Sequence, residues 1–418
     1  MSLFDDLTWR GLIAHSTDPE ALRADLDHSS ITFYVGFDPS APSLHMGNLL
    51  QLVTARRLQD AGHRPILLVG GSTGLIGDPR QSSERNLNPV EIVHEWVERI
   101  RASVQGFVSF EGDNAAILVN NYDWTAPLSA LDFLRDYGKY FSVNRMLDRE
   151  VVKRRLESGI SYTEFSYVLL QSLDYLELHR RHGASLQTGG SDQWGNITAG
   201  VELIRRVTGD KVHAMATPLI TKADGTKYGK TESGAVWLDP SMTSPYAFYQ
   251  FFLNAEDSMV VSLLKMYTRR SRDEIEDLAR QTVEAPHLRA AQRALADDLT
   301  DLVHSVEQRQ AAVEAAAAIF GQGDLWSLDG LTLNAVATEL GAAHWQDLAD
   351  KTVLDALVDS TVFASRAEAK RAVKAGGAYL NNERVTDLER AVTAEDLLSG
   401  DVVFVRRGKK TVGALRVG

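Results

Sequence analysis

Residues 31–37 form an apolar run of β-branched and aromatic side chains that ends at Asp38-Pro39, the pattern of a short buried strand. A 3.6-residue apolar period follows from about 47 to 61, so the chain passes from strand through a turn into a helix. Residues 65–69, 115–119, 184–188 and about 212–220 repeat the strand pattern, with helical periods at about 90–107 and 163–179 between them. Buried strands alternating with helices predict an α/β domain with an open parallel sheet, whose ligands bind beyond the carboxyl ends of the strands. From about 244 to 322 the text is helical and rich in Ala, Glu and Arg, which predicts a bundle. A basic helix at 364–377, stopped by Gly376-Gly377, and a hairpin at 378–385 predict a small α+β module at the end. The divisions read as 1–235 for the sheet domain, 236–320 for the bundle, 321–350 for a linker and 351–418 for the module. A charged helical insertion occupies about 128–160 of the first.

Polar residues break this pattern where ligands are expected. Gly36 and Gly47 flank the first turn and would let a flat ring approach the backbone, and His45 stands at the mouth of the following helix. His45 reads equally as a helix cap or as a donor to a phosphate. The second strand ends in the glycine-rich run 70–77 and Asp78. That run lacks a Gly-Lys-Ser/Thr ending, so it is not a P-loop; Asp78 is either an N-cap or a carboxylate facing an ammonium. In the helix at 163–179, Tyr167, Gln171 and Asp174 fall on one face at i, i+4 and i+7, while Val168, Leu169, Leu173 and Leu176 turn elsewhere. From spacing alone, that polar stripe meets water.

Composition narrows the classes. The 418 residues are 44% hydrophobic, enough for two or three cored domains, and contain no Cys. Disulfides, thiolate zinc sites and a Cys nucleophile are excluded. The acidic start Met1-Ser2-Leu3-Phe4-Asp5-Asp6 is unlike a signal peptide, and no apolar run approaches a membrane span, so a cytoplasmic chain without membrane attachment is expected. The net charge of −12 hides an asymmetry: residues 361–418 hold eleven Lys and Arg against seven Asp and Glu, a net +4, leaving −16 on the remainder. An acidic body with a basic tail suits docking to RNA through a local patch.

Two short motifs in order turn these readings into one. Leu44-His45-Met46-Gly47-Asn48 resembles the His-x-Gly-His signature of class I aminoacyl-tRNA synthetases, and Lys227-Tyr228-Gly229-Lys230-Thr231 resembles their second, lysine-containing loop. The stretches 34–39, 70–79 and Gly189-Gly190-Ser191-Asp192-Gln193-Trp194-Gly195-Asn196 extend the resemblance to the bacterial tyrosyl-tRNA synthetases, over nearly the whole chain. The resemblance implies a Rossmann-like catalytic domain, a helical anticodon-recognition domain and an alpha-L type RNA-binding module. It implies that Tyr34 and Asp174 bond a substrate phenol, that Asp78, Tyr167 and Gln171 hold its ammonium, and that Gly36 and Gln193 complete the tyrosine site, Gln193 near the carboxylate. Asp38, Ser40, His45, Gly47, Asn48, Gly190, Asp192 and Lys230 would bind ATP. His45, Asn48, Lys227, Lys230 and Thr231 would serve the reaction, with Mg²⁺ carried on the ATP phosphates and neither zinc nor any other protein-held metal.

The implied partners are L-tyrosine, ATP, tRNA(Tyr) and a second copy of the chain, joined through the insertion at about 128–160. Arg366, Lys370, Arg371 and Lys374 would form an RNA-facing stripe. Two positions depart from the family pattern. Asn48 replaces the second signature His, keeping an amide donor without charge. The loop at 80–85 is one residue short: Arg85 matches a pyrophosphate-embracing Arg, while its usual Lys has only Arg80 or Gln81 as counterpart. Buried polar groups aimed at a hydroxyl reject phenylalanine, which leaves them unpaired; tyrosyl-tRNA synthetases are themselves the standing example. A tryptophanyl sibling, a small nucleotidyltransferase and a non-catalytic RNA-binding descendant are the rival readings. Tyr34 with Asp174, the bundle with its basic module, and the intact lysine loop argue against them in turn.

Overall fold

The computed structural model describes residues 2–79, 87–157, 159–221, 225–231 and 234–418, excluding the side chains of Lys230 and Thr231. Its residues group into two units, Met1–Asp239 with Val261–Asp277, and Pro240–Val260 with Leu278–Gly418.

The first unit is built on six strands: β1 (His15–Ser16), β2 (Thr32–Phe37), β3 (Arg64–Val69), β4 (Ile117–Asn120), β5 (Ala184–Gly190) and β6 (His213–Thr217). Their order across the sheet is β1-β6-β5-β2-β3-β4, with all neighbours parallel except β1, which runs antiparallel to β6. The sheet is therefore extended in one direction by β3 and β4 and in the other by β5 and β6, and the direction changes between β2 and β5. That switch point opens a crevice at the carboxyl ends of the two central strands. The helices Met46–Asp60, Val90–Val104, Tyr162–His182 and Trp194–Val207 carry the crossovers. Phe33, Val35 and Phe37 of β2 are buried, but Gly36 in the same central strand is exposed, because the crevice lies over it.

A two-strand ribbon, β7 (Lys230–Thr231) with β8 (Gly234–Ala235), follows β6. The insertion before the Tyr162–His182 helix comprises short helical pieces, among them Val143–Leu147 and Glu150–Leu156. Residues 261–277, read from sequence as part of the bundle, group with the sheet unit. Two guanidinium groups explain why: Arg10 donates to the carbonyls of Lys265, Thr268 and Arg270, and Arg57 to that of Thr268, covering the orphan acceptors at that helix end.

In the second unit the helices Pro245–Leu253, Ala290–Val303 and Val306–Ile319 bury Phe248, Phe252, Leu295, Leu299 and Ile319. Five strands follow: β9 (Ala343–Trp345), β10 (Ala378–Leu380), β11 (Glu383–Arg384), β12 (Val402–Arg407) and β13 (Thr411–Val417), ordered β11-β10-β12-β13-β9. The span 321–350 is not a plain linker. It contains the Gly330–Glu339 helix and β9, whose Trp345 is 4% exposed in the core of the terminal module and whose backbone pairs parallel with β13. Alternation over three residues is too short a signal to be read as a strand.

Candidate active site

Tyr34 on β2 and Asp174 on the Tyr162–His182 helix meet in the apolar interior of the crevice, with the Tyr34 ring 5.2 Å from that of Tyr175. Tyr34 is 1% exposed, and its hydroxyl has no hydrogen-bond partner among the described residues. Asp174 is as deeply buried, but both its oxygens are served. Trp124 Nε1 donates to Oδ1 at 2.9 Å and Asn121 Nδ2 to Oδ2 at 3.0 Å. Asn121 is fixed in turn: its oxygen accepts from the Ser72 N–H at 2.7 Å, and its amide also donates to Thr73 Oγ1 at 3.0 Å. Burial pushes the Asp174 carboxyl up to about 7, despite the two N–H donors that favour its ionised form. Burial and the neighbouring Asp174 charge likewise raise the Tyr34 hydroxyl well above the ordinary tyrosine value.

One and two turns further along the helix face lie Gln171 and Tyr167, as the i, i+4, i+7 spacing requires. The stripe does not meet bulk water: Tyr167 and Asp174 are buried, and Gln171 Oε1 is buried without a partner among the described residues. Tyr167 donates its hydroxyl proton to Asp38 Oδ2 at 2.5 Å, and Thr73 Oγ1 donates to Asp38 Oδ1 at 2.7 Å. Asp38, expected on the nucleotide side, thus reaches the amino-acid side as well. A Cβ at residue 70 would lie 2.1 Å from Asp38 Oδ1, so the first glycine of the glycine-rich run is needed for space. Asp78 is half-buried and accepts from Gln193 Nε2 at 2.7 Å and Asn196 Nδ2 at 3.1 Å. Gln193, expected near a carboxylate group of the ligand, spends its amide N–H on Asp78.

The side where nucleotide contacts are expected is more open. His45 is the N-cap of the Met46–Asp60 helix, in a reciprocal capping box. Its Nδ1 accepts from the Gly47 N–H at 3.0 Å, and its own N–H donates to Asn48 Oδ1 at 3.1 Å. The cap reading of His45 holds: Nδ1 accepts from the backbone of its own helix, so Nε2 is the ring nitrogen outside the cap. Asn48 likewise spends only its oxygen on the cap. The lysine loop is joined to this turn. Met46 N–H donates to the Val236 carbonyl at 3.1 Å, Leu238 N–H to that of Leu44 at 2.9 Å, and Trp237 bridges His45. Gly229, at φ +89°, lies so close that a Cβ would be 2.7 Å from Met46 Cβ. At the end of β5, Gly190 makes room for Asp192, whose Oδ1 would stand 2.5 Å from a Cβ there, and Lys227 Nζ reaches Asp192 Oδ2 at 3.4 Å. Ser40 is exposed in the turn after β2. Arg85, Arg80 and Gln81 lie outside the described residues, as do the side chains of Lys230 and Thr231.

Residues 26–321 match the family described as tRNA synthetases class I (W and Y), and residues 335–413 match the tyrosine–tRNA ligase SYY-like C-terminal domain. The chain belongs to the class I tRNA synthetases. It is 63% identical to a tyrosine–tRNA ligase of Cutibacterium acnes over 99% of both chains, and 56% identical to one of Streptomyces avermitilis over 99% of both. Among solved structures it resembles a C-terminally truncated mitochondrial tyrosyl-tRNA synthetase of Coccidioides posadasii, with a TM-score of 0.65 and 29% identity across 75% of this chain and 91% of that one.

Within this synthetase, several site residues carry no motif of their own. Asn121 and Trp124 lie in a stretch that sequence places at the ligand edge of the sheet, yet their partner Asp174 is far away in the chain. Asn196 closes the eight-residue motif that begins at Gly189 without an evident role, and Tyr267, which donates to the Met46 carbonyl at 3.2 Å, has no sequence signal. In the terminal module Arg366, Lys370, Arg371 and Lys374 are all exposed along the Arg366–Lys374 helix, whose opposite side buries Ala369. Arg366 is paired with Asp355, while the other three make no ion pair among the described residues.

Proposed function

We infer that the chain is a tyrosine–tRNA ligase that activates L-tyrosine with ATP, forming tyrosyl-adenylate and pyrophosphate, and then transfers tyrosine to the 3′ end of tRNA(Tyr). The observation that carries the amino-acid choice is the pair at the buried end of the crevice: an unpartnered Tyr34 hydroxyl beside an Asp174 carboxylate already braced by two N–H donors. A phenol supplies one proton to donate and one oxygen to accept. Phenylalanine supplies neither, and the indole of tryptophan offers only a donor.

The rest of the site reads in the same terms. Asp78 is the counter-charge of the substrate ammonium, and Gln171 Oε1 accepts from it. The substrate carboxylate attacks the α-phosphorus of Mg²⁺-ATP in line, the bond to pyrophosphate breaks, and no enzyme nucleophile intervenes. His45 Nε2–H, the Asn48 amide, Lys227, Lys230 and Thr231 are the donors for the growing negative charge, and Asp192 takes the ribose hydroxyls. Arg366, Lys370, Arg371 and Lys374 serve tRNA, and the setting is the cytoplasm; among the described residues no helix is long and apolar enough to cross a membrane. The insertion carries exposed Leu131, Val143 and Leu156, which suits burial against a second copy.

Amino-acid-dependent ATP–pyrophosphate exchange, run with tyrosine, phenylalanine and tryptophan, tests the assignment. Exchange with tyrosine alone is the expected result. Exchange with tryptophan would move the assignment to the sibling activity, and no exchange would leave only an RNA-binding role.

A further inference from the structure

One charged side chain enters the amino-acid site from the insertion. Arg149 immediately precedes the Glu150–Leu156 helix, and its guanidinium donates to the carboxamide oxygen of Asn196. It fits because residue 195 is glycine: a Cβ there would stand 3.2 Å from Arg149 Nε and from Nη2. Asn196 is 2% exposed and spends its N–H groups on Asp78 Oδ1 at 3.1 Å and Gln193 Oε1 at 3.0 Å. Gln193 Nε2 in turn donates to Asp78 Oδ2 at 2.7 Å. Asp78 therefore stands in a closed circuit of carboxamides whose outermost contact is Arg149. Burial lowers the Arg149 guanidinium below the ordinary arginine value, with the Asp78 charge opposing.

We propose that Arg149 is a positioning residue for the ammonium subsite, acting through Asn196 on Asp78. The proposal rests on the reading of Asp78 as the counter-charge of the ammonium. Without Arg149, the Asn196 oxygen is a buried acceptor with nothing to accept from, a costly state. The carboxamide relieves it by swinging toward water, which withdraws its N–H groups from Asp78 and Gln193. A second effect has the opposite sign, since removing a positive charge near Asp78 favours an incoming ammonium. Arg149 is half-buried, so water screens that repulsion, whereas Asn196 reaches water only by moving. The positional loss is the larger effect.

The test compares three ligands on the full-length enzyme: L-tyrosine, tyramine, which lacks the carboxylate, and 3-(4-hydroxyphenyl)propionate, which lacks the ammonium. In Arg149→Ala, tyrosine and tyramine are expected to weaken about tenfold while the propionate binds as before. The exchange rate at saturating tyrosine and the KM for ATP stay within about twofold. Arg149→Gln keeps an N–H donor for Asn196 and drops the charge, and is expected to recover most of the lost affinity. Equal weakening of all three ligands would make Arg149 a general structural prop. Weakening of tyrosine and the propionate, with tyramine unchanged, would make it a carboxylate contact, and tighter tyramine would mean that charge dominates. Each of these overturns the proposal, as does an unchanged Arg149→Ala. Asp78→Asn is measured in parallel. If it weakens tyramine and spares the propionate, the ammonium reading stands and the Arg149 variants judge the proposal alone. If tyramine binds Asp78→Asn as it binds the wild type, the ammonium reading fails, and the proposal with it.

Discussion

Asp174 and His45 belong to one candidate site and are built in opposite ways. Asp174 is 2% exposed and clamped by Trp124 and Asn121, the latter itself held by the Ser72–Thr73 turn. His45 stands exposed at a helix mouth, and Lys227 and Asp192, a half-exposed pair at 3.4 Å, are similarly open. A pocket that must tell a phenol from a phenyl ring gains from groups that cannot rearrange, because rearrangement would let the wrong ligand escape the penalty of unpaired polar atoms. Groups that meet a polyphosphate need only charge and reach, and water around them does little harm before the nucleotide arrives. In the proposed function, discrimination lies at the buried end and charge stabilisation at the open end.

The sharpest way to break that contrast is to remove a group from the open end and look for an effect at the buried one. Lys227→Ala is expected to slow tyrosine-dependent exchange by on the order of a hundredfold or more, the scale for losing a donor to developing transition-state charge. Equilibrium dialysis with tyrosine in the absence of ATP should show affinity within about twofold of the wild type. A comparable loss in tyrosine binding would mean the two ends are one mechanical unit.

Asp174→Asn attacks the other end. An amide can accept from only one of the two N–H donors and turns its own N–H toward the other, so tyrosine kcat/KM should fall by roughly a hundredfold, as for a lost hydrogen bond to a charged group. ATP binding should be unaffected. The carboxyl at about 7 also gives a pH signature. Below that value a proton occupies one of the two oxygens that Trp124, Asn121 and the phenol use as acceptors. The KM for tyrosine should therefore rise about tenfold from pH 8 to pH 6 in the wild type and stay flat in Asp174→Asn. The same shift acts on stability without ligand. The folded carboxyl retains its proton where the unfolded one, near 3.8, has lost it, so stability falls as pH rises from about 4 to about 7. A wild-type KM that does not change over pH 6–8 would show that the two N–H donors outweigh burial.

The two ends were not equally legible in the sequence. Strand–turn–helix text and two spaced motifs located the open end, because helix caps and loop glycines are local: His45 and Asn48 bond each other within one turn. At the buried end the family resemblance named Tyr34, Tyr167, Gln171 and Asp174 but not what holds them. Trp124 and Asn121 act on a carboxylate from another element, and side-chain pairing across a sheet leaves no period to read. Gln193 shows the same limit, since its bond to Asp78, 115 residues away in the chain, has no local signal. The supposed linker at 321–350 failed differently. Its strand is three residues long, and what makes it a strand is the edge of β13.

The smallest expected effect separates the two halves of the argument most cleanly. Tyr34→Phe removes a hydroxyl that is buried without a partner among the described residues. An unpaired buried polar atom costs stability, so its loss should raise the stability of the ligand-free protein by up to about 1 kcal/mol, read as a higher Tm. The same hydroxyl is half of the phenol-reading pair, so tyrosine KM should rise about three- to tenfold, the worth of one neutral hydrogen bond, and rejection of phenylalanine should weaken in step. Opposite signs in stability and binding are what a group held ready for a ligand produces, since its cost is carried by the empty site and recovered on binding. A Tm that falls with the substitution would place the Tyr34 hydroxyl among the structural bonds of the core, and the buried end would then owe its selectivity to Asp174 alone.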